Sequence, residues 1–131
     1  MELGTRAIGT RGELLVAEEF LKRGCAVYTP LVDIGADLVV DLNGRLQKVQ
    51  VKSYSGENRT HKFNLGHRLP LLSWRPYEKD ELDWYALCWV NTGHTVLIPA
   101  GPAMTVSFTE GTDSWRSNEI SAVLDRLMKE D

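Results

Sequence analysis

Four residues of this chain have types and spacing that could do chemistry: Glu13, Asp37, Gln50 and Lys52. Two carboxylates and an amide oxygen make a hard oxygen site. Such a site suits Mg²⁺, or Mn²⁺ in its place, with waters and a substrate phosphate completing an octahedron. Zinc is disfavoured, because no His or Cys falls within the pattern. A lysine beside such a cation could orient or deprotonate a water, or neutralise charge that builds on a phosphate. Cation, positioned water and lysine are the parts that phosphodiester hydrolysis requires. Singly, each residue has a plainer reading: a surface lysine on a strand, an aspartate at a turn edge, a glutamate in a helix cap. Their joint placement carries the weight.

The element that must bring them together is a hairpin over residues 37–52. Two β-prone runs flank Asn43-Gly44, the strongest short-range signal for a two-residue turn. A tight turn sets Leu42 against Arg45 and Asp37 against Gln50, with Cβ atoms about 4.5–5.5 Å apart on one face. Strand alternation adds Lys52 to that face. It sends Val49 and Val51 to the other, with Leu38, Val40 and Leu42.

Residues 10–23 read as a helix stopped by Gly24. Val16, Ala17, Phe20 and Leu21 form its apolar stripe, and Glu13 falls inside that stripe. A carboxylate there is costly unless it is paired, hydrogen-bonded or bound to a cation. Thr10 and Glu13 have the spacing of a capping box. A helix that began near Thr5 would remove that cap, and packing on the sheet would deliver Glu13 beside Asp37 and Gln50.

The rest of the chain supplies the scaffold. Cys25 to Pro30 reads as a first strand and residues 31–36 as a loop, and a further strand is expected around His61–Leu65. Gly66 to Asp80 reads as irregular. Leu82 to Val90 is almost continuously apolar, as a strand buried on both faces would be. Residues 91–93 turn it into a strand over His94–Pro99, and Ala103 to Phe108 adds a short edge strand. Ser117 would cap a last helix whose stripe of Ile120, Val123, Leu124, Leu127 and Met128 serves as core or dimer contact. The expectation is an α/β fold, a central mixed β-sheet flanked by helices, as one domain over residues 1–131.

Hydrophobic content of 43% and charge of 25% are ordinary for a soluble globular protein. No apolar run approaches the roughly 20 residues of a membrane helix, and no signal-peptide core opens the chain. Cys25 and Cys88 match no metal or redox spacing and read as buried thiols of a reducing compartment. A cytoplasmic, nucleoid-associated location is therefore expected, or the host cell for a viral source. The net charge of −3 hides an uneven distribution. Residues 45–79 hold eight Lys/Arg against only Glu57 and Glu78. That basic stretch, with Arg59, Lys62 and Arg68 among its cations, suggests a polyanion docking surface.

Glu13 on the first helix, then Gly35-Ala36-Asp37, then Gln50-Val51-Lys52 after a hairpin, resembles the PD-(D/E)XK nuclease superfamily. The resemblance spans residues 10–54, about a third of the chain. It implies a restriction-endonuclease-like core in which Glu13, Asp37 and Gln50 bind the metal and Lys52 assists the nucleophilic water. The backbone carbonyl of Val51 would be a further ligand, and Arg6 and Arg11 would grip phosphates. Among small members the chain is similar to archaeal-type Holliday junction resolvases and to compact intron-encoded homing endonucleases. Two positions depart from the pattern. Gln50 supplies an oxygen but no charge, which makes Glu13 more important for a dication, and Ala36 stands where a proline usually precedes the aspartate.

The expected activity is a Mg²⁺-dependent DNA endonuclease, first of all a homodimeric, structure-selective junction resolvase acting on four-way DNA. Size is the reason, since reading base edges usually needs insertions that 131 residues barely provide. The run 71–77 or the last helix would form the dimer interface. A sequence-specific homing or restriction-type endonuclease, favoured by Gln50, and an inactive nucleic-acid-binding module are the alternatives.

Overall fold

The computed structural model describes residues 4–68, 74–75 and 81–129. The chain opens with helix α1 (Thr5–Lys22) and two residues of β1 (Val27–Tyr28), followed by the hairpin of β2 (Leu38–Leu42) and β3 (Arg45–Tyr54). Next come β4 (Thr60–Asn64), β5 (His67–Arg68), β6 (Trp74–Arg75), β7 (Trp84–Trp89), β8 (His94–Pro99) and β9 (Thr105–Thr109). Helices α2 (Asp113–Asn118) and α3 (Ile120–Met128) close it. Five strands form the main sheet in the order β1-β2-β3-β7-β8. β3 and β7 run parallel, and the other neighbours are antiparallel. The sheet is mixed, as expected.

Asn43 and Gly44 both take positive φ, 53° and 83°, as a tight hairpin turn with right-handed strand twist requires. The turn fixes the register from Leu42↔Arg45 through Leu38↔Val49. Leu38, Val40, Leu42, Val49 and Val51 accordingly share one face, and all are buried against α1 and α3. The opposite face of β7, with Tyr85, Leu87 and Trp89, builds a second core with Phe63, Phe108 and Trp115. That core seats the two-stranded ribbon β4–β9 and helix α2 on the far side of the sheet.

Several expectations are corrected. α1 begins at Thr5, after Gly4, so the Thr10–Glu13 capping box does not form; the Thr10 hydroxyl instead donates back to the Arg6 carbonyl at 3.1 Å. Gly24 does end the helix, at φ 78°: its N–H bonds the Leu21 carbonyl, and the Cys25 N–H bonds that of Phe20. Leu21 is not in the stripe but 58% exposed; Gly12, Val16 and Phe20 are the buried positions.

Ser117 does not cap the last helix. Thr112 caps α2, accepting from the Trp115 N–H, and α3 restarts after the extended Glu119. The α3 stripe of Ile120, Val123 and Leu124 is interior, which removes it as a dimer face. Gly66 to Asp80 is not wholly irregular, because β5 pairs with β6. The proposed interface run 71–77 otherwise lies outside the described residues.

Candidate active site

β3 is ten residues long and β2 five, so β3 runs past the start of β2. The last β2–β3 pair is Leu38↔Val49. Asp37 sits just before β2 and does not take its place opposite Gln50 in the ladder. Its backbone N–H donates to the Val49 carbonyl at 2.9 Å, and its Oδ2 accepts from the Val51 N–H at 2.8 Å. A side chain thus occupies the first position of a strand edge that β2 leaves uncovered. In a strand the N–H and C=O of one residue point to the same edge. The Val51 carbonyl therefore faces the same notch as the Asp37 carboxylate.

The two faces of the sheet deliver the remaining groups. Gly12 of α1 lies against Val51 and Ser53, which places the next residue, Glu13, on the helix side of the notch. Gln50 and Lys52 project from the opposite face of β3, where their ladder partners are the buried Tyr85 and Leu87. Asp37 lies between the two sides and interacts electrostatically with both Glu13 and Lys52.

The electrostatics are those of a crowded, half-desolvated cluster. Burial pushes the Glu13 carboxyl above its ordinary range, and the charge on Asp37 adds to the rise. Burial also raises Asp37, with Asp33 adding to it, against the Val51 N–H and the Lys52 ammonium, which pull it down. Lys52 is lowered by burial, opposed by the attraction of Asp37. Both carboxylates thus hold their charge at a cost that a bound cation would relieve.

The donor set fits a small hard dication. Among the described residues no three His, Cys, Asp or Glu side chains gather as a metal cage. Two carboxylates with neutral oxygens nearby match Mg²⁺, which takes one or two carboxylates and keeps waters or substrate phosphates. Glu13, Asp37, the Gln50 amide and the Val51 carbonyl are the groups that could hold it.

The basic residues lie elsewhere. Arg6 is exposed on the first turns of α1. Arg11 reaches the Val90 carbonyl at 3.3 Å, so part of its guanidinium is engaged in the fold. Arg59 bonds the Glu110 carbonyl at 2.7 Å, and Lys62 is exposed on β4. Arg68 lies on β5, and its side chain is outside the described set.

Three features escaped the sequence reading. Asp33 faces Asp37 from an Asp-x-Gly turn in which it accepts from the Gly35 N–H at 2.9 Å. The Val51 N–H holds the Asp37 carboxylate. Gly12 brings α1 onto β3. The signal for the last was a glycine inside a helix, which costs about 1 kcal/mol relative to alanine and calls for a reason.

The sequence profile of the PD-(D/E)XK endonucleases matches residues 3–91, more than half of the chain. The chain belongs to the PD-(D/E)XK endonuclease family. Its structure is similar to that of the bacterial homing endonuclease I-Ssp6803I, with a TM-score of 0.72 and 19% sequence identity over 98% of this chain and 97% of that one. No curated protein matches it by sequence. The family makes it a nuclease that uses divalent metal ions and acts on DNA. Among the described residues, no helix is long and apolar enough to cross a membrane.

Proposed function

We propose that this protein is a Mg²⁺-dependent endonuclease that cuts duplex DNA at a preferred sequence. Glu13, Asp37, Gln50 and the Val51 carbonyl hold the cation, and Lys52 acts on the attacking water. The observation that carries the sequence preference is the outward face of the β4–β9 ribbon. Thr60, Lys62 and Asn64 alternate outward, opposite Thr109, Ser107 and Thr105, while Phe63 and Phe108 anchor the inner face. A two-stranded ribbon fits the major groove, where lysine pairs with guanine, asparagine with adenine, and hydroxyls with either. The ribbon supplies the reading element for which the chain is otherwise too small. The full-length likeness to a homing endonuclease supports the same reading.

Within the site, Asp37 is fixed by the Val51 N–H, so one carboxylate oxygen faces the backbone and the other turns away from it. Glu13 closes the notch from the helix side. Lys52, lowered by burial, gives up a proton more readily than an exposed lysine, and in its charged form it opposes the negative charge that grows on the phosphate. Mg²⁺ would supply Lewis acidity and lower the pKa of a bound water.

Junction resolution is the second reading, favoured by the basic stretch 45–79, which suits phosphates and shape. Paired cuts on two strands need two copies of the site, hence a homodimer. The exposed Tyr28, Leu31, Val32 and Leu46, around the loop that leads to Asp37, supply apolar surface for a second copy.

The test is a cleavage assay on a randomised duplex library, a four-way junction and single strands, in Mg²⁺ and in EDTA, with Asp37→Asn alongside. Duplex cutting at a preferred sequence, lost in EDTA and in the variant and altered by Asn64→Ala, is the expected result. Symmetric nicking confined to the junction would establish a resolvase. DNA binding without cutting would leave a binding module, with Gln50 the first suspect.

A further inference from the structure

We infer that Gly12 and Ser53 form the spacer that sets how far Glu13 reaches into the site, so that Gly12 is a positioning residue for the metal centre. The inference rests on the nuclease reading of that centre and deepens it. A Cβ built on Gly12 would lie 1.9 Å from Ser53 Oγ, 3.0 Å from Ser53 Cβ and 3.5 Å from Val51 Cγ1. A methyl group there requires the Ser53 hydroxyl to turn away and the Ser53 Cβ to give by a few tenths of an ångström. Gly9, one turn earlier on the same helix, has nothing within 4 Å of such an atom. The close approach is therefore local to one point, and that point is flanked by site residues on both sides.

Gly12 precedes Glu13 on α1, and Ser53 follows Lys52 on β3. Val51, the third party to the contact, supplies both the N–H that fixes Asp37 and the carbonyl that faces the notch. The Ser53 hydroxyl is buried and has no hydrogen-bond partner among the described residues. The consequence of the contact is geometric. It brings the backbone of α1 onto the strand that carries Gln50, Val51 and Lys52, and so fixes the span from Glu13 to Asp37. Metal-binding constellations tolerate misplacement of only about 0.5 Å, and a shift of about 1 Å can cost two orders of magnitude in rate.

The test is Gly12→Ala in the full-length protein, read by Mn²⁺ titration calorimetry, thermal melting in EDTA and DNA cleavage across a Mg²⁺ series. The helix itself prefers alanine at an interior position, so the melting temperature should change little. Mn²⁺ affinity should fall about tenfold or more, and cleavage should need correspondingly more Mg²⁺. Gly12→Ala combined with Ser53→Gly, which vacates the space on the strand side, should bring affinity back to within about threefold of wild type. If Gly12→Ala does not fold, Ser53→Val loads the same contact from the strand and should give the same loss. A variant that melts earlier yet binds Mn²⁺ as wild type does would make Gly12 a packing residue only and overturn the inference. Failure of the double substitution to recover affinity would do the same. A wild-type protein that neither binds Mn²⁺ nor cuts DNA would remove the nuclease reading itself, an outcome separate from these.

Discussion

Replacing Asp37 by Asn should raise the stability of the metal-free protein at neutral pH while abolishing cleavage. Asn keeps an oxygen where Oδ2 accepts the Val51 N–H at 2.8 Å, so the backbone group stays satisfied. What it removes is a charge that burial and the neighbouring Asp33 disfavour, and that itself disfavours ionisation of Glu13. The sign follows from linkage. A carboxyl whose folded-state pKa is raised stabilises the fold only while protonated, and that contribution fades as pH rises through the raised value. At pH 7 the wild-type protein has lost it, whereas the neutral isostere never carries the charge. A gain of about 1 kcal/mol corresponds to about 3–5 °C in melting temperature for a domain of this size.

The gain should vanish below about pH 4, where the aspartate is protonated in folded and unfolded chains alike. Asp37→Ala should move the other way. It strands the Val51 N–H at a cost of about 1–3 kcal/mol. Calorimetric melts of wild type, Asp37→Asn and Asp37→Ala, in EDTA at pH 7 and pH 4, separate the cases. Mg²⁺ at a hundred times its Kd should add about 2.7 kcal/mol to wild type and little to either variant. Equal destabilisation by Asn and Ala at pH 7 would refute the reasoning, since the carboxylate would then be a net stabilising partner of Lys52.

Lys52→Ala should reduce cleavage by about a hundredfold or more and leave DNA binding and the fold in place, as checked by gel shift and circular dichroism; cutting at the wild-type rate would remove Lys52 from the site. The affinity for Mg²⁺ should fall as pH drops through the raised range of Glu13 and Asp37, and the decline should begin above the ordinary carboxylate range; calorimetric titrations across pH measure it. Thr112→Ala should cost about 1 kcal/mol through loss of the α2 cap, seen as an earlier melt with cleavage per folded molecule unchanged.

Where local chemistry decided the outcome, the sequence was sufficient. Asn43-Gly44 admits one short turn, and that turn dictated which of residues 38–52 are buried and which carry Gln50 and Lys52. Leu82 to Val90 announced a central strand because nearly every residue in it is apolar, and residues 85–90 are all buried. The start of α1 was ambiguous for a physical reason. Thr5 and Thr10 are both tolerable near a helix start, and only packing of Ile8 on the core selects the longer helix. The displacement of Asp37 from the ladder was hidden because it depends on where β2 stops, and strand ends follow from tertiary contacts rather than from propensity. The separate β4–β9 ribbon was out of sight for the same reason, since its pairing joins residues 41 to 49 positions apart.

The parallel pairing of β3 with β7 has a consequence for how such a protein can change its target. Val49 lies beside Trp84 in the sheet, so everything from residue 55 to residue 83 is strung between two neighbouring strands. β4 is tied down by β9 and by Phe63 against Trp89, outside the main sheet, and the chain joins the main sheet again at β7. Lengthening such a connection is thermodynamically mild, about 0.6 kcal/mol for each doubling. Glu13, Asp37, Gln50 and Lys52 all precede it in the chain. Segments inserted or exchanged between β4 and β7 could therefore redirect the protein to new DNA while the cutting machinery upstream stays untouched, which makes this connection the natural graft point for retargeting by evolution or by design.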